Sequence, residues 1–198
     1  MKFHEYVSRC QAIAKIGKKY STDAYALENY EELENISGLM MSQLTGKEIT
    51  NIYECDVYPT PSCSVRVVIF NEAGELLMVQ EKQDNLFAVP GGWNEKFDSL
   101  QETAIKEVKQ ESGLDIEVKR LLAVFQRERY KDYPTVISEQ VHYFLAEIKG
   151  GEIKNNHEIL SVGFYDITAL PALSKKNSKS ELLRALQVAK EELPVYFD

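Results

Sequence analysis

Two glutamates one helical turn apart, Glu107 and Glu111, have the residue type and spacing for metal chemistry. They lie in GGWNEKFDSLQETAIKEVKQESGL, residues 91 to 114. Like charges at this spacing repel each other on an isolated helix, at a cost on the order of a few tenths of a kcal/mol. A bound hard cation would reverse that sign, because Mg²⁺ prefers carboxylate oxygens and keeps several waters for substrate phosphates. The segment is therefore either a charged surface helix or a metal site for a phosphate-bearing substrate.

The flanking residues help to distinguish these two interpretations. VPGG, residues 89 to 92, predicts a strand end at which glycines let the backbone turn closely beside the helix and expose carbonyl groups. Gly113 lies where a helix C-cap is expected. Helical periodicity places the core side chains Ala104, Ile105 and Val108 on one face, and Thr103, Gln110 and Glu111 beside Glu107 on the next. Strand, glycine turn, acidic helix and glycine stop form one unit, which favours the metal site.

A helical hairpin is predicted before the strands. Apolar residues recur at spacings of three and four over residues 3 to 20 and again from Tyr25 to Leu44, and Ser21, Thr22 and Asp23 can cap the second helix. A short third helix is expected at residues 47 to 54, before the two prolines of YPTPS at residues 58 to 62. We therefore expect a helical domain at residues 1–60 and a second domain at residues 61–198. The apolar face of the hairpin predicts a homodimer.

The second domain is rich in predicted strands. Three of them are SVRVVIF at 64 to 70, LLMVQEK at 76 to 82 and LFAVPGG at 86 to 92. Two longer strands are predicted at residues 115 to 130 and 136 to 150, and a closing helix at 179 to 192. Because strands and helices do not alternate regularly, the fold class is α+β, with a mixed-sheet sandwich rather than a doubly wound sheet.

The composition is that of a soluble globular protein, with 44% hydrophobic and 27% charged residues. A net charge of -8 argues against a broad surface for nucleic acid or anionic lipid. It is compatible with a phosphorylated small molecule bound through a cation. The N-terminus lacks a signal-peptide core and no apolar run approaches the roughly 20 residues of a membrane helix. The three cysteines lack CxxC spacing and are expected to be buried free thiols, so we expect a cytoplasmic protein with no membrane association.

Residues 92 to 114 resemble the signature of the Nudix hydrolases. That pattern requires Gly, five residues, Glu, seven residues and Arg-Glu-apolar-any-Glu-Glu-any-Gly-apolar, and the matching residues are Gly92, Glu107, Val108, Glu111, Gly113 and Leu114. Three positions depart from it: Asp98 for Glu, Lys106 for Arg and Gln110 for Glu. Residues 62 to 175 resemble the catalytic Nudix domain, which implies an α/β/α sandwich with a mixed sheet. Residues 1 to 57 resemble the N-terminal extension of the ADP-ribose pyrophosphatase-like subgroup, one branch of which acts on CDP-choline.

The resemblance implies hydrolysis of a nucleoside diphosphate linked to a moiety X, of the ADP-ribose or CDP-choline type, to a mononucleotide and phosphorylated X. Mg²⁺ is the implied cofactor, with Mn²⁺ as an alternative. The implied metal ligands are the Gly91 carbonyl, Glu107, Gln110 and Glu111. Glu107 is either a ligand or a general base held by Lys106, and Glu158 is a further candidate for base or ligand. Substrate contacts are expected at Lys82, Trp93, Arg127 and Arg129, each of which could equally be an ordinary surface or packing residue.

The departures from the signature leave other functions open. Gln110 brings no charge, which should weaken a second or third metal more than the first, and Lys106 lacks the bidentate fork of Arg. Asp98 either contributes to the site or only charges the helix N-terminus. A second hypothesis is therefore a weakened Nudix domain that binds a nucleotide as a sensor or regulator. A third, processing of mRNA or damaged nucleotides, fits the acidic chain less well.

Overall fold

The computed structural model describes residues 2–50, 52, 59–95, 97–131 and 137–198. It divides into two compact units. The first comprises Met1–Pro61 and Lys131–Ser138, and the second comprises Ser62–Tyr130 and Glu139–Asp198. In the part of the chain that is described, no helix is both long and apolar enough to cross a membrane.

The first unit contains the predicted helical hairpin, with α1 at Phe3–Tyr20 and α2 at Ala24–Thr45. The Asp23 side chain accepts a hydrogen bond of 2.7 Å from the Ala26 amide, and Gly46 ends α2 in the left-handed conformation at φ 68°. The two helices can approach closely at Gly17, because a Cβ there would collide with the Tyr30 ring. The expected third helix is wrong where it can be judged: residues 47 to 50 and 52 are not helical, and Asn51, Tyr53 and Glu54 lie outside the described residues.

The hairpin leaves many large apolar side chains exposed. Tyr25 is 76% exposed, Tyr20 67% and Leu39 66%. Five more are at least 37% exposed: Phe3, Tyr6, Ile13, Ile36 and Leu44. Cys10 on α1 is also exposed and Cys63 is partly exposed, so the expectation of buried thiols is wrong for these two, and Cys55 lies outside the described residues. Cys10 is not among the buried residues of α1, which are His4, Val7, Gln11, Ala12 and Ala14.

The second unit contains two sheets. Their strands are β1 Ser62–Ile69, β2 Leu76–Glu81, β3 Phe87–Ala88, β4 Leu114–Gln126, β5 Glu139–Gly151, β6 Ile159–Tyr165 and β7 Tyr196–Phe197. The larger sheet has the order β1-β5-β4-β7 and the smaller one β3-β2-β6. Since β1 runs parallel to β5 while β4 runs antiparallel to it, the larger sheet is mixed. The predicted long strand over 115 to 130 ends earlier, and Arg127–Tyr130 form a short 3-10 helix instead.

Two helices, α3 at Leu100–Ser112 and α4 at Lys179–Lys190, belong to separate apolar clusters. Val65, Val67 and Ile69 of β1 pack in one cluster with Ala104 and Val108 of α3. Alternate positions on the sheets face the other cluster, which contains Val68, Met78, Phe125, Tyr143 and, from α4, Leu182 and Leu186. Each fully buried side chain of this size contributes about 1.5–3 kcal/mol of transfer free energy. The second unit is therefore an α/β/α sandwich with a mixed sheet, as predicted.

Candidate active site

Capping interactions define both ends of helix α3. The Ser99 hydroxyl accepts from the Glu102 amide at 3.2 Å, and the Glu102 carboxylate accepts from the Ser99 amide at 2.7 Å, which forms a capping box. Gly113 ends the helix at φ 78°. Ala104 and Val108 are fully buried as predicted, whereas Ile105 is 37% exposed because it lies at the edge of the apolar face.

The glycine turn before α3 fits closely against β1. Val65 and Val67 donate backbone hydrogen bonds to the carbonyls of Gly92 and Pro90, at 2.9 and 2.8 Å. Gly91 has φ 149°, and a side chain there would collide with the Val65 carbonyl. A Cβ on Gly92 would lie only 2.5 Å from Glu107 Oε1. The turn therefore requires glycine at position 91, whereas glycine at position 92 makes room for a carboxylate.

Glu111 is held from two sides. Its Oε2 accepts from the Gly91 amide at 2.9 Å, and its Oε1 accepts from the Lys176 ammonium at 2.5 Å. The same ammonium donates to Glu81 Oε1 at 2.8 Å. Only 5% of the Glu111 side chain is exposed. Lys176 thus joins the end of β2 to the last turn of α3.

The backbone around Lys176 is fixed by two buried arginines. Arg66 donates to the Lys176 carbonyl from Nε at 3.2 Å and from Nη2 at 3.1 Å. Arg127 Nη2 donates to the Lys176 carbonyl at 2.5 Å and to the Lys175 carbonyl at 2.6 Å. Both arginines are 4% exposed, and Arg127 pairs with the buried Glu139 at 3.2 Å. Burial and the nearby Arg127 lower the pKa of Arg66.

Glu107 has a different environment from Glu111. It is partly buried, and within the described residues its carboxylate has no hydrogen bond or ion pair. Burial raises the pKa of Glu107, and the charges of Lys176, Arg66 and Lys106 oppose that rise. Burial also raises the pKa of Glu111, against the opposing effects of Lys176 and the Gly91 amide. A cation near both carboxylates would stabilise their charged forms.

The donors fit a divalent cation that retains water. Glu107 and Glu111 present carboxylates from successive turns of α3, and the backbone of Gly91 lies against Glu111. Among the described residues no group of three His, Cys, Asp or Glu side chains lies close enough to form a complete metal cage. Mg²⁺ does not need one, because it binds through one or two carboxylates and completes its shell with water and substrate phosphate. The carboxylate of Glu107, which has no partner in the part of the chain that the structure describes, is the group that such a cation would neutralise.

Three of the residues proposed for chemistry lie at the rim of this site. The ion pairs of Lys106 run to Glu95 at 2.7 Å and Asp98 at 3.7 Å, so Asp98 and Glu95, rather than Glu107, hold its ammonium. Glu158 is exposed, and its negative charge contributes to the raised pKa of Glu107. Lys82 is also exposed, and its amide donates to the Glu158 carbonyl at 2.8 Å.

The remaining predicted residues have different surroundings. Arg127 is a buried anchor for the Lys176 backbone, and its neighbour Arg129 is exposed and lies 3.9 Å from Asp198. Trp93 is 49% exposed and pairs with Ser64 as an isolated β-bridge. Gln110 is exposed and lines a surface cleft of about 400 Å³ with Lys109, Gly113, Gly151, Glu152, Lys154 and Asn155, a set that includes neither Glu107 nor Glu111.

Sequence reasoning missed Glu81, Arg66 and Lys176. Arg66 had a usable signal, because a charged residue in the middle of SVRVVIF must find buried partners. Lys176 had none, since it lies in the polar stretch SKKNSKS and reaches Glu111 across 65 residues of sequence.

Comparison with known families matches both units. The NUDIX domain model matches residues 61–186, and the model described as a UDP-X-like, N-terminal oligomerisation domain matches residues 1–55. YjhB of Bacillus subtilis, whose name assigns it a proposed ADP-ribose pyrophosphatase activity, is 36% identical over 186 residues, which cover 91% of this chain and 89% of YjhB.

Solved structures agree with this assignment. A UDP-X diphosphatase has a TM-score of 0.63 at 30% identity, over 99% of this chain and 98% of that one. An ADP-ribose pyrophosphatase from Streptococcus suis has a TM-score of 0.63 at 33% identity, over 70% of this chain and 100% of that one. The glycine turn, the acidic helix and these matches lead to one conclusion: the chain belongs to the Nudix hydrolase family.

Proposed function

We propose that this protein is a Mg²⁺-dependent pyrophosphohydrolase that acts on a nucleoside diphosphate linked to a moiety X, with ADP-ribose as the leading substrate. The observation that carries this proposal is the Glu107–Glu111 pair on α3, set against the Gly91–Gly92 turn. The names of the relatives support the substrate class: YjhB and the Streptococcus suis protein are named for ADP-ribose, and a full-length structural neighbour for UDP-X. CDP-choline remains a second candidate of the same chemical type.

Glu107 and Glu111 would hold the cation, with the Gly91 carbonyl as a further ligand. When bound, Mg²⁺ neutralises charge on the pyrophosphate and lowers the pKa of a water that can attack phosphorus. The protein fixes Glu111 through the Gly91 amide and provides space for Glu107 beside Gly92. These contacts orient the carboxylates before substrate arrives, which lowers the entropic cost of the reaction.

The hydrolysis itself needs a proton acceptor. A water oxygen forms a bond to one phosphorus, the bridging P–O bond breaks, and the proton of the water passes to a carboxylate. If Glu111 alone holds the cation, Glu107 takes this role, because its carboxylate is partly exposed and has no other partner among the described residues. Glu158, whose charge acts on Glu107, is the alternative base.

The proposal is tested by mass spectrometry of products. The full-length protein is incubated with ADP-ribose, CDP-choline, NADH and nucleotide sugars in Mg²⁺ or Mn²⁺, and Glu107→Gln serves as the control. ADP-ribose should yield AMP and ribose 5-phosphate, and the variant should lose turnover. Tight binding of one compound without turnover of any would instead support a nucleotide sensor.

We also propose that the helical hairpin mediates a homodimer. The apolar side chains of α1 and α2 listed above are exposed in a single chain, including Tyr25 at 76% and Leu39 at 66%. Exposed large apolar side chains in such number on one helical hairpin favour a protein interface. The oligomerisation domain model that matches residues 1–55 supports the same interpretation. Light scattering coupled to size exclusion should give twice the 22.6 kDa chain mass at micromolar concentration, and a monomer would refute the idea.

A further inference from the structure

The ammonium of Lys176 lies between two acidic side chains of the site. It contacts Glu111 Oε1 at 2.5 Å and Glu81 Oε1 at 2.8 Å. The three side chains are little exposed, at 22% for Lys176, 15% for Glu81 and 5% for Glu111. Ion pairs shielded from solvent in this way are stronger than surface pairs, because water and salt screen them less.

The backbone of Lys176 is held in place, because hydrogen bonds fix the chain on both sides of it. Arg66 and Arg127 hold its carbonyl, as described above. The next residue, Asn177, accepts from the Val89 amide at 3.1 Å and donates to the Tyr143 hydroxyl at 3.0 Å. Only the flexible side chain of Lys176 is free to change its contacts.

A cation bound to Glu111 would lie beside the Lys176 ammonium, because both Glu111 oxygens already accept a hydrogen bond. Glu111 Oε2 already accepts from the Gly91 amide at 2.9 Å, which leaves Oε1 as the oxygen opposite that contact. Oε1 is the atom that accepts from Lys176. Two positive charges at one carboxylate repel each other more strongly in a partly buried site than on the open surface.

We propose that Lys176 is a positioning residue that competes with the divalent cation for Glu111, so that cation binding moves the ammonium off Oε1 and Lys176 sets the strength of metal binding. This inference rests on the proposed metal site at Glu107 and Glu111. In the released position the ammonium keeps Glu81 as its partner, which limits the distance that it moves. A lysine with a merely structural role would repel the cation through space but would stay on Oε1 when the cation binds.

The test is the affinity of the full-length protein for Mn²⁺ alone, measured from free Mn²⁺ by electron paramagnetic resonance. Lys176→Met should bind Mn²⁺ on the order of tenfold more tightly than wild type, because a charge-assisted contact no longer has to be broken. The matched control is Lys175→Met, which removes the same charge from the adjacent, exposed lysine and should leave the affinity unchanged. Equal or weaker binding by Lys176→Met would overturn the proposal.

A second measurement uses the wild-type protein, so it does not depend on the folding of a variant. Brief acetylation, read at each lysine by tandem mass spectrometry, should increase at Lys176 when Mn²⁺ saturates the protein and stay constant at Lys175. Unchanged labelling of Lys176 would also refute the exchange. Glu111→Gln separates the two proposals: if wild type binds Mn²⁺ and this variant does not, the metal site stands whatever the result for Lys176.

Discussion

Replacing Gly92 with alanine should disable the site while leaving the fold intact. A Cβ at this position would lie 2.5 Å from Glu107 Oε1, 2.6 Å from Cδ and 2.7 Å from Oε2. Ordinary contact begins at 3.4 Å, so the carboxylate must retreat by about 1 Å. A displacement of about 1 Å from the productive geometry can cost about 10²-fold in rate. We therefore expect kcat/KM for ADP-ribose to fall by about 10²-fold in Gly92→Ala.

The stability of this variant should change little. Gly92 does not have a positive φ, and the atoms that the new methyl group meets are the end of a flexible side chain. Alanine also restricts the unfolded chain, which offsets part of any cost, so the free energy of unfolding should stay within about 1 kcal/mol of wild type. In Gly91→Ala, by contrast, the methyl group would meet the backbone of Val65, and that variant should unfold more easily.

Hydrolysis of ADP-ribose in Mg²⁺ measures the effect, and denaturant unfolding measures stability in parallel. Gly150→Ala is the matched control, because its Cβ would meet nothing closer than 4.0 Å. The control should retain both activity and stability. A folded Gly92→Ala protein that keeps kcat/KM within about threefold of wild type would show that the placement of Glu107 does not matter for the reaction.

Three further predictions concern charge, anchoring and assembly. Burial raises the pKa of Glu107, so the stability that its neutral form provides is present below the ordinary carboxylate pKa and is lost as pH rises through the raised value. Glu107→Gln stays neutral, and in the presence of a chelator its Tm should therefore rise relative to that of wild type as pH increases. A Tm difference that stays constant with pH would contradict this prediction. Arg127→Met should lower the free energy of unfolding, measured by urea denaturation, by about 3 kcal/mol, because the buried carboxylate of Glu139 loses this partner. Arg129→Met, at an exposed site, should change the same free energy by no more than about 0.5 kcal/mol. Equal losses in the two variants would refute the anchoring role of Arg127. Leu39→Glu should give a monomer by light scattering and Leu183→Glu, on α4, should remain a dimer; a dimeric Leu39→Glu protein would remove this part of the hairpin from the interface.

Local patterns predicted the elements that carry the site. Helical periodicity and the glycine stop at Gly113 predicted α3, and the β-branched residues of SVRVVIF predicted β1. These features depend on hydrogen bonds and side-chain periodicity within a few residues. The closeness of Gly92 and Glu107 could also be predicted, because only one turn and one helix separate the two residues.

Such local patterns could not predict the contacts between residues that are distant in sequence. Arg127 and Arg129 look alike in sequence, yet one is buried beneath the site and the other lies on the surface, because the chain leaves the strand and forms a 3-10 turn between them. Lys106 was expected to hold Glu107, but Glu95 and Asp98 compete for its ammonium. Spacing along a helix cannot rank such competing partners, since the rank depends on which side chains other segments bring near.

The contacts of Lys176 also determine at what point of protein synthesis the site can form. Lys176 meets Glu111 across 65 residues and Glu81 across 95, and Ser64 on β1 meets Glu139 on β5 across 75. Contacts so distant in sequence form slowly, because the chain must close long loops before any of them is stabilised. A nascent chain that has emerged only as far as α3 therefore carries Glu81, Glu107 and Glu111 without their lysine. The ribosome must release the chain through Lys176 before Glu81 and Glu111 acquire this counter-charge.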